Sequence, residues 1–119
     1  MEHNYERLKV WKKSMELVKK VYTLTNSYPK EEKFSLVNQM RRCAVSIPSN
    51  IAEGSGTGTS KHFSHFLRIA ASSVYELHTQ LRISQDLNYL SKKQSSKRIS
   101  ELQQINKMLY TFNKKILEV

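Results

Sequence analysis

Apolar residues recur along this chain at intervals of three and four, the spacing that places them on one side of a helix. Trp11, Met15, Val18 and Tyr22 make one such stripe and Val10, Leu17, Val21 and Leu24 the next, predicting a first helix over 8–25 with a wide apolar face. The chain then turns at Tyr28-Pro29. Glu31 and Glu32 are expected in the first turn of a second helix over 30–53, where carboxylates favour the helix dipole. Within it Val37, Met40, Ala44, Ile47 and Ile51 keep helical spacing straight across Pro48, while Arg42, Ser46, Ser49 and Glu53 form a polar stripe. A proline inside a helix removes a backbone donor and crowds the carbonyl of Ala44, costing about 3 kcal/mol, so its neighbours must offset it. Residues 54–59 read as a flexible connector. Phe63, Leu67, Ala70, Val74, Leu77, Leu81 and Ser84 then alternate at four and three residues, a heptad-like seam for a third helix over 60–87. Asn88 is expected to stop it in a left-handed conformation. Ser91 and Gln94 have capping-box spacing for a fourth helix over 91–118, which carries Leu102, Ile105, Leu109, Phe112 and Ile116. Short connections make sequential helices antiparallel. The expectation is a single all-α domain over 1–119, an up-and-down antiparallel four-helix bundle with a proline inside helix 2.

Composition agrees with that pattern. Three glycines and two prolines in 119 residues supply too little turn chemistry for many short strands. The single Cys43 excludes an intramolecular disulfide and a multi-cysteine zinc site, which suits a cytoplasmic protein. The first residues lack an apolar signal core, and no apolar run approaches the roughly 20 residues of a membrane span, so no membrane partner is expected.

Charge changes the picture more. Twenty Lys and Arg stand against ten Asp and Glu, a formal charge of +10 that suits a phosphate-rich partner, RNA or DNA. Lys9, Lys12, Lys13, Lys19 and Lys20 crowd the first helix, and Lys92, Lys93, Lys97 and Arg98 crowd the start of the fourth. Cations at a helix N-terminus oppose its dipole, so helix stability does not explain the second cluster, whereas a polyanion would. The competing reading is a screened, solvated face that keeps an apolar bundle soluble. Tyr89, Tyr110, Phe112 and Trp11 can stack on bases in principle, but their helical spacing favours core or subunit packing.

A second constellation comprises Arg41, Arg42, Ser46, Ser49, Asn50, Glu53, Ser73, Glu76, Thr79 and Gln80. It reads as a structural polar network between the second and third helices or across a subunit boundary. Serine hydroxyls would relieve the disturbance around Pro48, and the two arginines would neutralise inward carboxylates. It contains no activated nucleophile or acid-base pair, so no enzyme activity is expected. His62 and His65 share a helix face without a further ligand, and Gly54, Gly56 and Gly58 lack the Lys-Ser/Thr ending of a phosphate loop. Neither a metal nor a cofactor is expected.

Leu8-Lys-Val-Trp11, Tyr28-Pro29, Gln39-Met-Arg-Arg42, Ser46-Ile-Pro-Ser-Asn-Ile-Ala-Glu-Gly54, Phe66-Leu67, Ala70 and Glu76-Leu-His-Thr-Gln-Leu81 together resemble the four-helix-bundle proteins encoded in 23S ribosomal RNA intervening sequences. The resemblance implies a homo-oligomeric ring, commonly a pentamer, and little about activity. A related bundle is the accessory protein of diversity-generating retroelements, where a basic ring binds a reverse transcriptase and nucleic acid. Family members tend to carry a basic residue after the glycine and a glutamate before the phenylalanine that opens the third helix. Here Thr57 and Gly58 replace the first and His62 the second, which removes the carboxylate of a capping box begun by Thr59. The leading expectation is a non-catalytic nucleic-acid-binding oligomer, RNA favoured. Its rival is a structural or interaction scaffold, such as an accessory subunit of a reverse transcriptase.

Overall fold

Each apolar stripe becomes the buried face of one helix in the computed structural model, which describes residues 4–118. A 3-10 turn, Tyr5–Arg7, leads into α1 (Lys9–Thr25); a second, Lys30–Glu32, precedes α2 (Leu36–Ser55); α3 (Ser60–Asp86) and α4 (Lys92–Leu117) follow. The helices touch in cyclic order, α1 to α2 to α3 to α4 and back to α1, and the diagonal pairs do not approach as closely. This is the four-helix bundle that the periodicity predicts, 46 Å along its longest axis. Leu17, Val21, Met40, Ile47, Ile51, Leu77, Leu81, Leu102 and Ile105 fill its centre at 2% exposure or less. Two fully buried serines are satisfied within their own helices: Ser14 donates to the Trp11 carbonyl at 2.8 Å and Ser84 to the Gln80 carbonyl at 2.8 Å. Short side chains of this kind let helices close up without leaving an unpaired polar group.

The helix ends follow the local chemistry. Asn88 adopts φ 63°, and the amides of Asn88 and Tyr89 bond back to the carbonyls of Gln85 at 3.0 Å and Ser84 at 2.9 Å, a Schellman stop. Ser91 and Gln94 form a complete capping box on α4. On α3, Thr59 accepts from the His62 amide at 3.2 Å, and the His62 Nδ1 lies 2.8 Å from the same hydroxyl. The imidazole meets the cap's hydroxyl, whereas the reciprocal bond of a capping box runs to the cap's backbone amide.

Two expected boundaries are corrected. Helix 2 does not begin at residue 30. Glu31 and Glu32 sit in the 3-10 turn, and Ser35, at φ −124° and ψ −99°, separates that turn from α2. Residues 33–35 offer no buried side chain to hold a helix there, since Phe34 is 85% exposed. Instead the Glu32 carboxylate accepts from Ser35 Oγ at 2.6 Å and from Tyr89 Oη at 2.7 Å, tying the turn to the α3–α4 connection. Those two hydroxyls, Ser35 first, hold the Glu32 carboxyl below its ordinary 4.5. Nor does the flexible connector begin at Gly54, which is buried within α2. A Cβ at Gly54 would lie 2.7 Å from Phe66 Cβ and 2.9 Å from Phe63 Cδ1, so this glycine serves close approach of α2 and α3. The turn itself falls later, at Gly58 with φ 85°.

Pro48 is buried inside an unbroken α2. Ser46 Oγ lies 2.6 Å from both the Cys43 carbonyl and Ser73 Oγ. A carbonyl cannot donate, so Ser46 gives its one proton there and accepts from Ser73. Asn50 Nδ2 donates to the Ser46 carbonyl at 2.7 Å. Side-chain bonds thus bracket the proline on the α3 side.

Candidate nucleic-acid interface

Antiparallel packing sets the start of α1 beside the end of α4, and α1 and α4 meet more sparsely than any other neighbouring pair of long helices. The result is a groove along their seam, in three sections. At one end, Lys19, Lys20, Thr23, Gln94, Lys97 and Arg98 line about 470 Å³. In the middle, Lys12, Lys13, Glu16 and Gln104 line about 550 Å³. At the other end, Lys9, Lys107 and Lys115 surround about 470 Å³ over Leu8, Val10, Met108 and Phe112. Lys9, Lys107 and Met108 belong to both of the last two sections, which are therefore continuous.

Members of the two lysine clusters, some 70 residues apart in sequence, thus face each other across the α1/α4 seam, in a first section that shares no lining residue with the continuous middle and far sections. Lys9, Lys12, Lys13, Lys19, Lys20, Lys97 and Arg98 all line the groove. Lys92 and Lys93 do not; they lie exposed in the first turn of α4, outside the lining. Sequence reading missed Lys107 and Lys115, whose signal was spacing: Lys97, Glu101, Gln104, Met108, Thr111 and Lys115 follow each other at three and four residues on one face of α4. It also missed Glu101. The Lys20 Nζ pairs with one Glu101 carboxylate oxygen and Arg98 Nε approaches the other at 2.9 Å. With side chains 12% and 18% exposed, Arg98 and Glu101 form the less solvated part of this triad, and Lys20 at 41% the more exposed. Glu101 thereby neutralises part of the charge of one section and pins α1 to α4 across it.

The model of the 23S rRNA-intervening sequence protein family matches residues 6–111. The chain belongs to that family. A solved structure described as a protein with unknown function from the S23 ribosomal protein family, from Bacteroides thetaiotaomicron VPI-5482, is similar over 88% of this chain and 95% of that one, with 26% identity and a TM-score of 0.81. A comparison with curated proteins finds no match.

The polar constellation divides into parts. Ser46 and Ser73 do join α2 to α3, Cys43 Sγ donates to the Ser73 carbonyl at 3.1 Å, and Asn50 bonds within α2. Burial, with Glu76's charge second, pushes the Cys43 thiol up to about 12, so it stays protonated and unreactive at neutral pH. Arg41 leaves this group entirely. It turns to α1, donating from Nε to Thr25 Oγ1 at 3.0 Å and from Nη2 to Asn26 Oδ1 at 3.0 Å and the Tyr22 carbonyl at 3.3 Å, with its guanidinium 4.5 Å from the Tyr22 ring centre. A cation on the Tyr22 carbonyl, in the last turn, caps the negative end of α1. Arg42, Ser49, Glu53, Glu76 and Thr79 are exposed, and Gln80 Nε2 reaches Glu76 only at 3.4 Å. The expected neutralisation of inward carboxylates by Arg41 and Arg42 is therefore replaced: among the described residues, the ion pairs converge on Glu101. Helical spacing gives faces but not which neighbour a long side chain chooses.

The aromatic residues also separate. Trp11 is half-buried against the core and edge-on to Tyr5, Tyr89 packs tilted against Tyr28 with ring centroids 5.2 Å apart, and Phe112 meets Phe63 edge-on at 5.4 Å. Tyr110 alone of the four is exposed, at 73%. No group of three or more His, Cys, Asp or Glu side chains gathers to hold a metal among the described residues, and no helix there is long and apolar enough to cross a membrane.

Proposed function

We propose that this chain is a non-catalytic, cytoplasmic homo-oligomer that binds nucleic acid, RNA favoured, along the α1/α4 groove. The observation carrying this reading is the convergence of lysines from both helices on one groove. Glu16 is the one acidic side chain in its lining, and Glu101 is already engaged. Lysines serving solubility alone have no need to gather on one of four faces.

Exposed apolar side chains support self-association. Tyr22 touches Arg41, Met15 lies two turns before Tyr22 on the same stripe, and Val45 one turn after Arg41, so the α1/α2 face carries Met15, Tyr22 and Val45 at 38–41% exposure. On the opposite α3/α4 face, Tyr75 and Tyr110 are 64% and 73% exposed beside one cleft. Unlike faces on opposite flanks suit a head-to-tail contact, which closes into a ring, and the family resemblance suggests a pentamer. Every subunit then presents its basic groove in the same sense, raising avidity for a long polyanion. The same tyrosines favour a second reading, a scaffold or accessory subunit that docks a protein such as a reverse transcriptase, because exposed Tyr is a common interface anchor.

The test is a titration of labelled structured RNA across a salt series, with native mass measured alongside. The groove reading expects log affinity to fall linearly with log salt and to weaken when Lys9, Lys107 and Lys115 become Gln. An assembled protein that ignores RNA even at low salt would overturn it in favour of the scaffold.

A further inference from the structure

We infer that the α1/α4 groove takes single-stranded nucleic acid in preference to duplex, seating an unstacked base against Met108 and Phe112. This rests on the nucleic-acid reading of the same groove. The observation behind it is a change in the groove along its length. Around Lys19 and Lys97 the walls are polar, as a track for phosphates requires. At the other end the floor is Val10, Met108 and Phe112, and the charged groups at its edge, Lys9, Lys107 and Lys115, are all cationic. A solvated lysine face needs no apolar trough, and neither does a site that reads phosphates alone. An apolar floor under a cationic rim matches a nucleotide with its base exposed, whose π-face is apolar and whose phosphate is anionic.

Rigidity and width favour the same occupant. Phe112 is held edge-on to Phe63, with ring centroids 5.4 Å apart and planes at 81°, so its ring is positioned before a ligand arrives. Packed helices have axes about 8–10 Å apart, and the groove between them is too narrow to admit a duplex. A duplex keeps its bases stacked inside and would ride on the rim lysines with Met108 uncovered. A single strand can lay its backbone along Lys9 and Lys107 and turn a base inward. The continuous lining from Lys12 to Lys115 lets neighbouring phosphates follow in the middle section.

Three probes of equal length test this at one salt concentration: a fluorescent single strand of mixed sequence, that strand annealed to its complement, and a base-free deoxyribose-phosphate strand. The single strand is expected to bind about tenfold more tightly than either of the others, the effect of one stacked base. Met108→Ser should remove most of that preference and leave duplex affinity unchanged. Leu8→Ser, which lies outside α4, provides a second probe of the trough should the first variant melt early. Lys107→Gln with Lys115→Gln should weaken all three ligands together. Equal affinity for the three probes, or tighter duplex binding, overturns the base site and leaves the basic groove standing. Failure of all three to bind overturns both.

Discussion

The α2/α3 seam and the α1/α4 seam lie on opposite sides of one bundle and are built by opposite rules. Where α2 meets α3, helices approach through Gly54, and the groups that bond across the contact are short and neutral, Cys43, Ser46 and Ser73, with Arg42 and Glu76 kept to the lining of a smaller cavity of about 380 Å³. Each bonds at 3.1 Å or less, which lets the seam close without an unpaired donor. Where α1 meets α4, the polar groups are long and charged. Lys20, Arg98 and Glu101 bridge the gap, and the space beyond them stays open as a groove. The closely packed seam holds the fold, and the sparser one is the proposed interface. Charge on long stems suits that division, because a solvated ammonium resists burial whereas a serine hydroxyl satisfies itself on its own helix.

The largest expected contrast comes from making the same deletion in both seams. Met40, fully buried on α2, touches Ser84 across to α3, so Met40→Ala should cost about 2–5 kcal/mol in thermal or denaturant unfolding. Met108→Ala, at a half-buried position in the groove floor, should cost about 1 kcal/mol or less. Equal losses would erase the distinction between a packed and an open seam.

Among the residues of the polar constellation, Arg41→Ala should destabilise by about 1–2 kcal/mol, since it uncaps α1 and strips Tyr22 of its cation. Glu76→Ala should change stability by about 0.5 kcal/mol at most, because the carboxylate is exposed and its amide partner lies at 3.4 Å. Matching losses, measured by chemical denaturation, would restore one shared network.

Glu101→Gln sharpens the comparison from the binding side. It frees Lys20 and Arg98 for phosphate contact, so affinity for RNA at low salt should rise a few-fold, with stability altered by about 1 kcal/mol or less. Weaker binding would mean that Glu101 positions those cations and does not merely neutralise them. The smallest effect concerns Glu32. Its carboxyl is depressed in the folded state, so its contribution is complete above the ordinary 4.5 and disappears as pH falls through the lower folded value. Tyr89→Phe should therefore melt slightly below the parent at neutral pH, and the gap should close in acid; a gap independent of pH would mean that the hydroxyl does not act through the Glu32 charge.

Much of this was legible in the sequence. Four apolar stripes, Asn88 and the Ser91-Gln94 box specify helices and ends by local rules that the tertiary structure leaves intact. Local rules failed where a distant partner decided. Glu32 left the helix register for Tyr89, and Gly54 served close packing instead of a hinge, because Phe63 and Phe66 come up against it from α3. The candidate interface was half legible. Clusters of consecutive lysines are visible by eye, while Lys107 and Lys115 emerge only once α4 is known to lie against α1. Lys114 and Lys115 sit where cations favour the helix dipole, so nothing local marks Lys115 as a residue of the groove lining.

Lysine acetylation footprinting by mass spectrometry, with and without saturating RNA at low salt, tests the central claim most directly. The account predicts that RNA protects Lys9, Lys12, Lys13, Lys97, Lys107 and Lys115 and leaves Lys33 and Lys61, which lie outside the groove lining, as reactive as before. Protection of Lys33 or Lys61 as strong as that of the groove lysines would contradict it.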